Sequence, residues 1–425
     1  MMMKIDRQTL GFWIVLLGLI ILIQILVSVG ILSPFWETLL KIGAVMSIVS
    51  LGLNLIYGFN GQFSLGQWGF YAIGAYAAAD VTYRWAQMKN ASGLMVLFLV
   101  VLLVGVALFL IAKLVSRMRG LDPLSAFALY IIGVLIAAYI GVQIGILLIN
   151  PVTQALSALP PNLAMQIVYL FAVLLGGCLA AEVSYLFGLP VLTLGSDYFG
   201  IATLGFTIIV KVLLDNSDTL LGFEEMKGAR GMVGIPKTTS WLWVAIFLIL
   251  VIIVLRNLLH SSHGRAIVSV REDEIAAKAM GIDVAQQKTF AFVLGSFLAG
   301  LAGGLYAHIN GFLHPNTFNF IKSFDPMIIV VFGGLGSVSG TIMAAFTWAL
   351  VLEGFLRILL PAGFETWRFV VYPLFLLVMM LLRPQGLFGG FEFPYLRQIL
   401  PKPYVPRTQE QISLVHAVED APEGD

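Results

Sequence analysis

Nine long runs of apolar residues limit what this chain can fold into. They lie near residues 10–32, 36–57, 94–112, 124–149, 163–187, 241–259, 288–309, 339–360 and 367–382. Each is long enough to cross about 30 Å of hydrocarbon as a helix. Shorter or glycine-interrupted runs fall near 63–81, 191–214 and 325–335. Hydrocarbon offers backbone N–H and C=O groups no partner, so segments of this kind span as helices that satisfy themselves. Of the 425 residues, 59% are hydrophobic and 11% charged, where soluble chains carry about a quarter charged. The expected fold is therefore all-α: a polytopic transmembrane helical bundle of roughly ten to twelve spans, some of them broken or half helices. Residues 1–390 form that unit, and the proline-rich stretch 391–425, with its acidic end, reads as a loosely ordered tail.

The few charges are gathered rather than dispersed. Lys4 and Arg7 precede a first run too long for a signal peptide, which is read as a retained span. Lys113, Arg117 and Arg119 mark one loop as cytoplasmic and the interval 256–288 marks another; counting spans from a cytoplasmic N-terminus puts both inside. Past 288 the run 325–335 is too short to cross alone. A basic tail on the inside requires it to cross as part of a broken helix. A formal net charge of +1 with no basic run gives nucleic acid no footprint. The single cysteine, Cys178, excludes an intrachain disulfide.

The interval 256–288 is the longest polar stretch between spans, and it reads as a short helix over about 270–280. Ser269 and Glu272 stand at capping-box spacing, Glu272, Asp273 and Glu274 load the first turn, and Gly281 supplies the stop. Glu274 and Lys278 are placed for an i,i+4 pair, and Ile275, Ala276, Ala279 and Met280 for an apolar stripe. Each charge would cost about 2.5 to 3.5 kcal/mol at a bilayer centre, so the helix belongs in water at the membrane surface. It is either a solvated loop helix or a docking element for a soluble partner.

Two interrupted segments invite comparison. Phe59-Asn60-Gly61-Gln62-Phe63-Ser64 and Phe332-Gly333-Gly334-Leu335-Gly336-Ser337 share Phe, Gly and Ser at the same offsets in the two halves of the chain. Paired breaks point to internal repeats with a substrate path between them, since unwound backbone survives at membrane depth only where it is buried or lines a cavity. Close packing through small residues is the alternative.

Catalytic machinery is not visible. The one approach to a phosphate loop, 231–238, has Pro236 where the second glycine should stand, and proline offers a phosphate no N–H. His260 and His263 lack further ligands for a metal, and His308 and His314 read as interfacial. Among intramembrane ionisable residues, Glu182, Lys211 and Glu353 lie near span ends, where they can snorkel, and Asp197 sits in a candidate helix break.

Taken together, Gly264-Arg265-Ala266, then Arg271-Glu272-Asp273-Glu274-Ile275-Ala276-Ala277 and Gly281-Ile282, resemble the cytoplasmic signature of the permease subunits of branched-chain amino acid ABC importers, the LivM type in particular. Three further stretches agree with it in order: 58–66, 197–206 and 332–340. The resemblance covers roughly 40–390. Two departures stand out: Ile275 occupies the place of the expected Glu, with Glu274 displaced by one, and the outer loop at 227–231 is unlike the family's usual start.

The resemblance implies a non-enzymatic transport subunit in the cell inner membrane. Its partners would be two ABC ATPases, a homologous second permease and a periplasmic or lipid-anchored binding protein. This chain would bind no cofactor, with ATP and magnesium held by the ATPases. Coupling to them falls to Arg265, Arg271, Glu272, Asp273, Glu274, Ala276, Ala277 and Gly281. The translocation path falls to Asn54, Asn60, Gln62, Ser64 and Gln67, to Gly195, Asp197, Tyr198 and Phe199, and to Gly334, Ser337 and Ser339. The cargo would be leucine, isoleucine or valine, with urea, short amides and other amino acids as alternatives. An ion-coupled secondary transporter, a membrane enzyme and a passive channel are the rival classes.

Overall fold

The computed structural model describes residues 7–117, 122–192, 196–220, 222, 224–355 and, beyond these, 374, 377–378, 381–383, 386–388, 392–393 and 395–396. Its helices are α1 (Arg7–Ser28), α2 (Pro34–Asn54), α3 (Gln67–Met88), α4 (Ser92–Arg117), α5 (Pro123–Ser157), α6 (Pro161–Val191), α7 (Ser196–Asp215), α8 (Trp241–His260), α9 (Ser262–Glu272), α10 (Glu274–Ala279), α11 (Val284–Asn310), α12 (Phe324–Gly333) and α13 (Val338–Thr347). Among the described residues nine helical stretches are long and apolar enough to cross a membrane. The chain is a multi-pass helical membrane protein. The last expected span, 367–382, lies mostly outside the described residues.

Burial sorts the helices into a centre and a rim. α2 with its π-helical extension Leu55–Phe59 is 83% buried over its most apolar window, whereas α1 is not buried at all over its own and the α4–α5 hairpin barely so. Rim helices can spend apolar side chains on lipid; central ones need close backbone contact, because lipid and leucine are equally apolar and packing alone drives association. Small residues supply it: a Cβ on Gly74 of α3 would stand 2.0 Å from the carbonyl oxygen of Gly300 on α11. The same packing explains α3, which the sequence pattern reduced to an interrupted run at 63–81. It is an unbroken helix of 22 residues, rich in Gly, Ala, Tyr and Trp and buried along most of its length. A hydropathy pattern under-reads a helix whose neighbours are protein.

Hydrogen bonds fasten the layers. The Trp241 indole donates to Ile20 O (3.2 Å), tying α8 to α1. His308, expected at an interface, is instead fully buried: Nδ1 lies 2.7 Å from Gly304 O and Nε2 2.7 Å from the Thr82 hydroxyl. Glu182 is not at a helix end either, since α6 continues to Val191. The antiparallel pair β1 (Met232–Val233) and β2 (Phe312–Leu313) staples the 216–240 loop to the segment that follows α11.

After α11 the chain descends through two 3-10 turns, Pro315–Phe318 and Phe320–Ser323, into the ten-residue α12, then climbs again through α13 and the π-helical segment Trp348–Phe355. Contrary to the expectation from the charge pattern, the short run 325–335 therefore does not cross as part of a broken helix: it enters and the chain returns, so that Lys322 before α12 lies 3.8 Å from Glu353 after α13. The four described residues of the expected tail are packed: Phe12 stacks on Tyr395 at 5.5 Å, the Arg256 guanidinium lies 4.1 Å from that ring, and Glu392 reaches α13.

Candidate functional site

The charged interval folds differently from the single helix expected over 270–280. Ser269 is internal to α9, and its hydroxyl donates to Ala266 O (2.8 Å). Asp273 takes an extended conformation and breaks the helix, its carboxylate accepting from the N–H groups of Ile275 (2.8 Å) and Ala276 (3.0 Å) and so starting α10. Aspartate and serine are comparable caps, and here the extended backbone at Asp273 lets its short side chain reach the new N-terminus directly. Gly281 terminates α10 region with φ +81°, as its position suggested. Glu274 bonds Lys288 on α11 rather than Lys278.

The face that packs is also not the one expected. Ala277 is buried with Val270 and Val284, against Ile282, whereas Ala276 and Ala279 are exposed and Ile275 and Met280 stand 81% and 83% exposed. Arg265 is exposed and donates to His260 O (3.2 Å). A pair of large apolar side chains thus projects from a charged surface.

Arg271 points the other way, into the protein. Its Nη1 donates to Gly58 O at 2.6 Å, and its other nitrogens bond Glu272. It packs over Gly61 and Gly336, where a Cβ on either glycine would come within 3.1 Å of it. The one side chain therefore bridges the charged loop and both interrupted segments.

These segments also bind each other. Asn54 is fully buried; its Nδ2 donates to Ser337 O (2.8 Å) and to the Thr341 hydroxyl (2.9 Å), and its Oδ1 accepts from Gly336 N (2.9 Å). The first segment meets α7 as well, where Leu65 N donates to the Thr203 hydroxyl (3.0 Å) and the Thr207 hydroxyl to Leu65 O (3.3 Å). Stretches far apart in sequence thus converge on residues 54–67, which form a hub.

Inside the hub polar atoms are left over. Asn60 donates to Gln62 Oε1 (2.8 Å), yet its Oδ1 has no hydrogen-bond partner among the described residues. Gln67, only 1% exposed, has none for either atom of its amide. Buried amides are almost always satisfied by protein or water, so this pocket of unmet polarity suits a wet or polar-lined passage. Ser64 is buried and accepts from Gly66 N (3.4 Å).

The other expected path residues are placed variously. Ser337 caps α13 by accepting from Gly340 N (2.9 Å). The Ser339 hydroxyl donates to Glu392 Oε2 (2.6 Å), whose carboxylate also accepts from Val338 N. Gly334 ends α12 with φ +105°. Phe199 is buried against Phe292 at 5.3 Å, while Tyr198 is 69% exposed. Gly195 and the side chain of Asp197 lie outside the described residues.

Sequence reasoning missed one feature. At the far end of α11 from the charged loop lies a cavity of about 390 Å³ whose lining includes Lys322, Asp325 and Glu353. Lys322 and Asp325, three apart where a short apolar run begins, were the available signal.

Comparison with known proteins agrees with this architecture. The family model described as branched-chain amino acid transport system / permease component matches residues 36–168 and 152–380. The chain is 32% identical over 247 residues to the high-affinity branched-chain amino acid transport system permease protein LivM of Escherichia coli K12, covering 50% of this chain and 56% of that protein. It is 24% identical over 234 residues to the probable branched-chain amino acid transport permease protein LivM of Methanocaldococcus jannaschii, covering 52% and 68%. It is 26% identical over 180 residues to LivH of Escherichia coli K12, a permease protein of the same system, covering 42% and 55%. The match spans little more than half the length of the Escherichia coli relatives. No solved structure matches the chain.

Proposed function

Because the chain belongs to the family of branched-chain amino acid transport system permease components, we propose that it is the membrane-spanning permease subunit of an ATP-driven importer that moves leucine, isoleucine and valine across the cell inner membrane. Hydrolysis of ATP falls to two partner ATPases, which hold the nucleotide and magnesium. A second, homologous permease completes the membrane unit, and a binding protein delivers cargo from outside. The loop carrying α9 and α10 faces the cytoplasm and receives the ATPases.

One observation carries this reading: the Arg271 guanidinium reaches from the charged loop to the carbonyl of Gly58, inside the hub where the broken helices meet. A force applied to α9 and α10 is therefore delivered to the π-helical turn Leu55–Phe59 and the irregular backbone that follows it, without passing through lipid. Exposed Ile275 and Met280 offer apolar anchors for a partner, and the charged rim around them suits a docking surface that must also be soluble. Two-state rearrangement of packed helices then alternates access to the passage.

Purification from the native membrane under mild detergent tests the assembly. Two nucleotide-hydrolysing subunits and a second integral subunit are expected to accompany this chain, and the reconstituted complex is expected to accumulate leucine only with hydrolysable ATP. A chain that purifies alone and accumulates leucine on an ion gradient would overturn the proposal in favour of a secondary transporter.

A further inference from the structure

The cavity at the far end of α11 is built for a ligand with two charges and an apolar body. Its lining holds one cation and two carboxylates: Lys322 Nζ lies 3.0 Å from Asp325 Oδ2 and 3.8 Å from Glu353 Oε1. Glu353 belongs to the π-helical segment Trp348–Phe355, and departures of this kind from the α-helix concentrate at functional sites. Trp348 opens that segment, is 6% exposed, lines the cavity, and its indole N–H has no partner among the described residues. A buried indole donor normally finds one.

The walls divide by chemistry. Leu39, Ile42 and Met46 of α2 make an aliphatic side, and Trp68 and Tyr71, stacked at 4.6 Å, make an aromatic one. The Trp68 ring is held in place by its own N–H, which donates to Thr317 O (3.0 Å). At about 390 Å³ the space falls within the usual range of small-molecule sites, about 300–1,000 Å³. Trp68 directly follows Gln67, whose amide is unsatisfied in the hub, so the cavity lies next to the candidate passage.

We infer that this cavity is a binding site of the permease itself for a zwitterionic α-amino acid with an apolar side chain, in which Asp325 and Glu353 receive the ammonium, Lys322 and the Trp348 indole N–H receive the carboxylate, and the α2 wall receives the side chain. Trp68 and Tyr71 line the same cavity and offer π faces to a bound ammonium. The inference rests on the importer reading and adds to it a checkpoint in the membrane, separate from the binding protein. A cluster serving only to hold α12 against the π segment would need neither a free indole N–H nor a cavity of this size.

The test uses the full chain assembled with the ATPases and the second permease, and the binding measurement leaves out the binding protein so that only the membrane site is read. In nanodiscs, tritiated L-leucine is competed with unlabelled leucine, with isoamylamine, which lacks the carboxylate, and with isovalerate, which lacks the ammonium. Each analogue is expected to compete about tenfold or more weakly than leucine, the loss of one charge-assisted contact. In proteoliposomes, Glu353→Gln is expected to raise the KM for leucine about tenfold, and Trp348→Phe about threefold. Isoamylamine competing as well as leucine would make this a simple amine site and overturn the inference. So would both variants importing leucine with KM within about twofold of wild type, which would leave the importer reading standing. Absence of leucine uptake by the wild-type assembly would sink the importer reading and the inference with it. The competition on wild type decides the question should either variant fail to insert.

Discussion

Replacing Arg271 by alanine removes the hydrogen bond through which the charged loop reaches the backbone of the hub. The bond it makes to Gly58 O is short, 2.6 Å, and charged on the donor side; such bonds contribute about 1.5 to 3 kcal/mol when buried. The side chain is 37% exposed, so solvent screening reduces the figure to about 1 to 1.5 kcal/mol. The Glu272 pair adds little, being an exposed ion pair. At about 1.4 kcal/mol per factor of ten, uptake is expected to fall about five- to tenfold. The loss should appear as uncoupling: in proteoliposomes with the full assembly, Arg271→Ala hydrolyses ATP but imports less leucine per ATP. Arg271→Lys keeps the charge without the planar fork and should fall between. Glu272→Gln should stay within about twofold of wild type. Leucine imported per ATP unchanged in Arg271→Ala, with the assembly intact, would refute the reasoning.

Two stability predictions follow from the packing. Gly74→Ala places a Cβ 2.0 Å from Gly300 O between two central helices, and is expected to cost about 3 kcal/mol or more, lowering the melting temperature in detergent; Gly205→Ala, with nothing within 4 Å, should leave it unchanged. Glu392→Gln weakens a carboxylate that accepts from Val338 N, Ser339 N and the Ser339 hydroxyl at the start of α13; a loss of about 1 to 2 kcal/mol is expected, read as a lower melting temperature that restoring Glu recovers.

Much of the architecture could be read from apolar runs alone, because a span must be long and apolar wherever it touches lipid. The failures have physical causes. α3 escaped because a helix wrapped by α6, α7 and α11 needs small residues more than greasy ones. The break at Asp273 escaped because Ser269 and Asp273 both satisfy the cap pattern, and only the competition between them, settled by Asp273 bonding two N–H groups, decides the boundary. Conversely, the interrupted segments announced themselves through Gly61, Gly334 and Gly336, and Asn54 does bind the second of them. What no local pattern contains is the contact between Arg271 and Gly58, separated by 213 residues. The outer cavity is similar: Glu353 stood out as an ionisable residue near a span end, but its meeting with Lys322 depends on how α12 and the π segment pack.

The central claim is that the loop bearing α9 and α10 faces the ATPases and carries their work to the hub. Labelling of Ile275→Cys in a Cys178→Ala background, using a membrane-impermeant maleimide on sealed vesicles of both orientations, tests it most directly. The account predicts modification only from the cytoplasmic face, with protection when the ATPase subunits are bound. Modification from the outer face, or equal labelling with and without the ATPases, would contradict it.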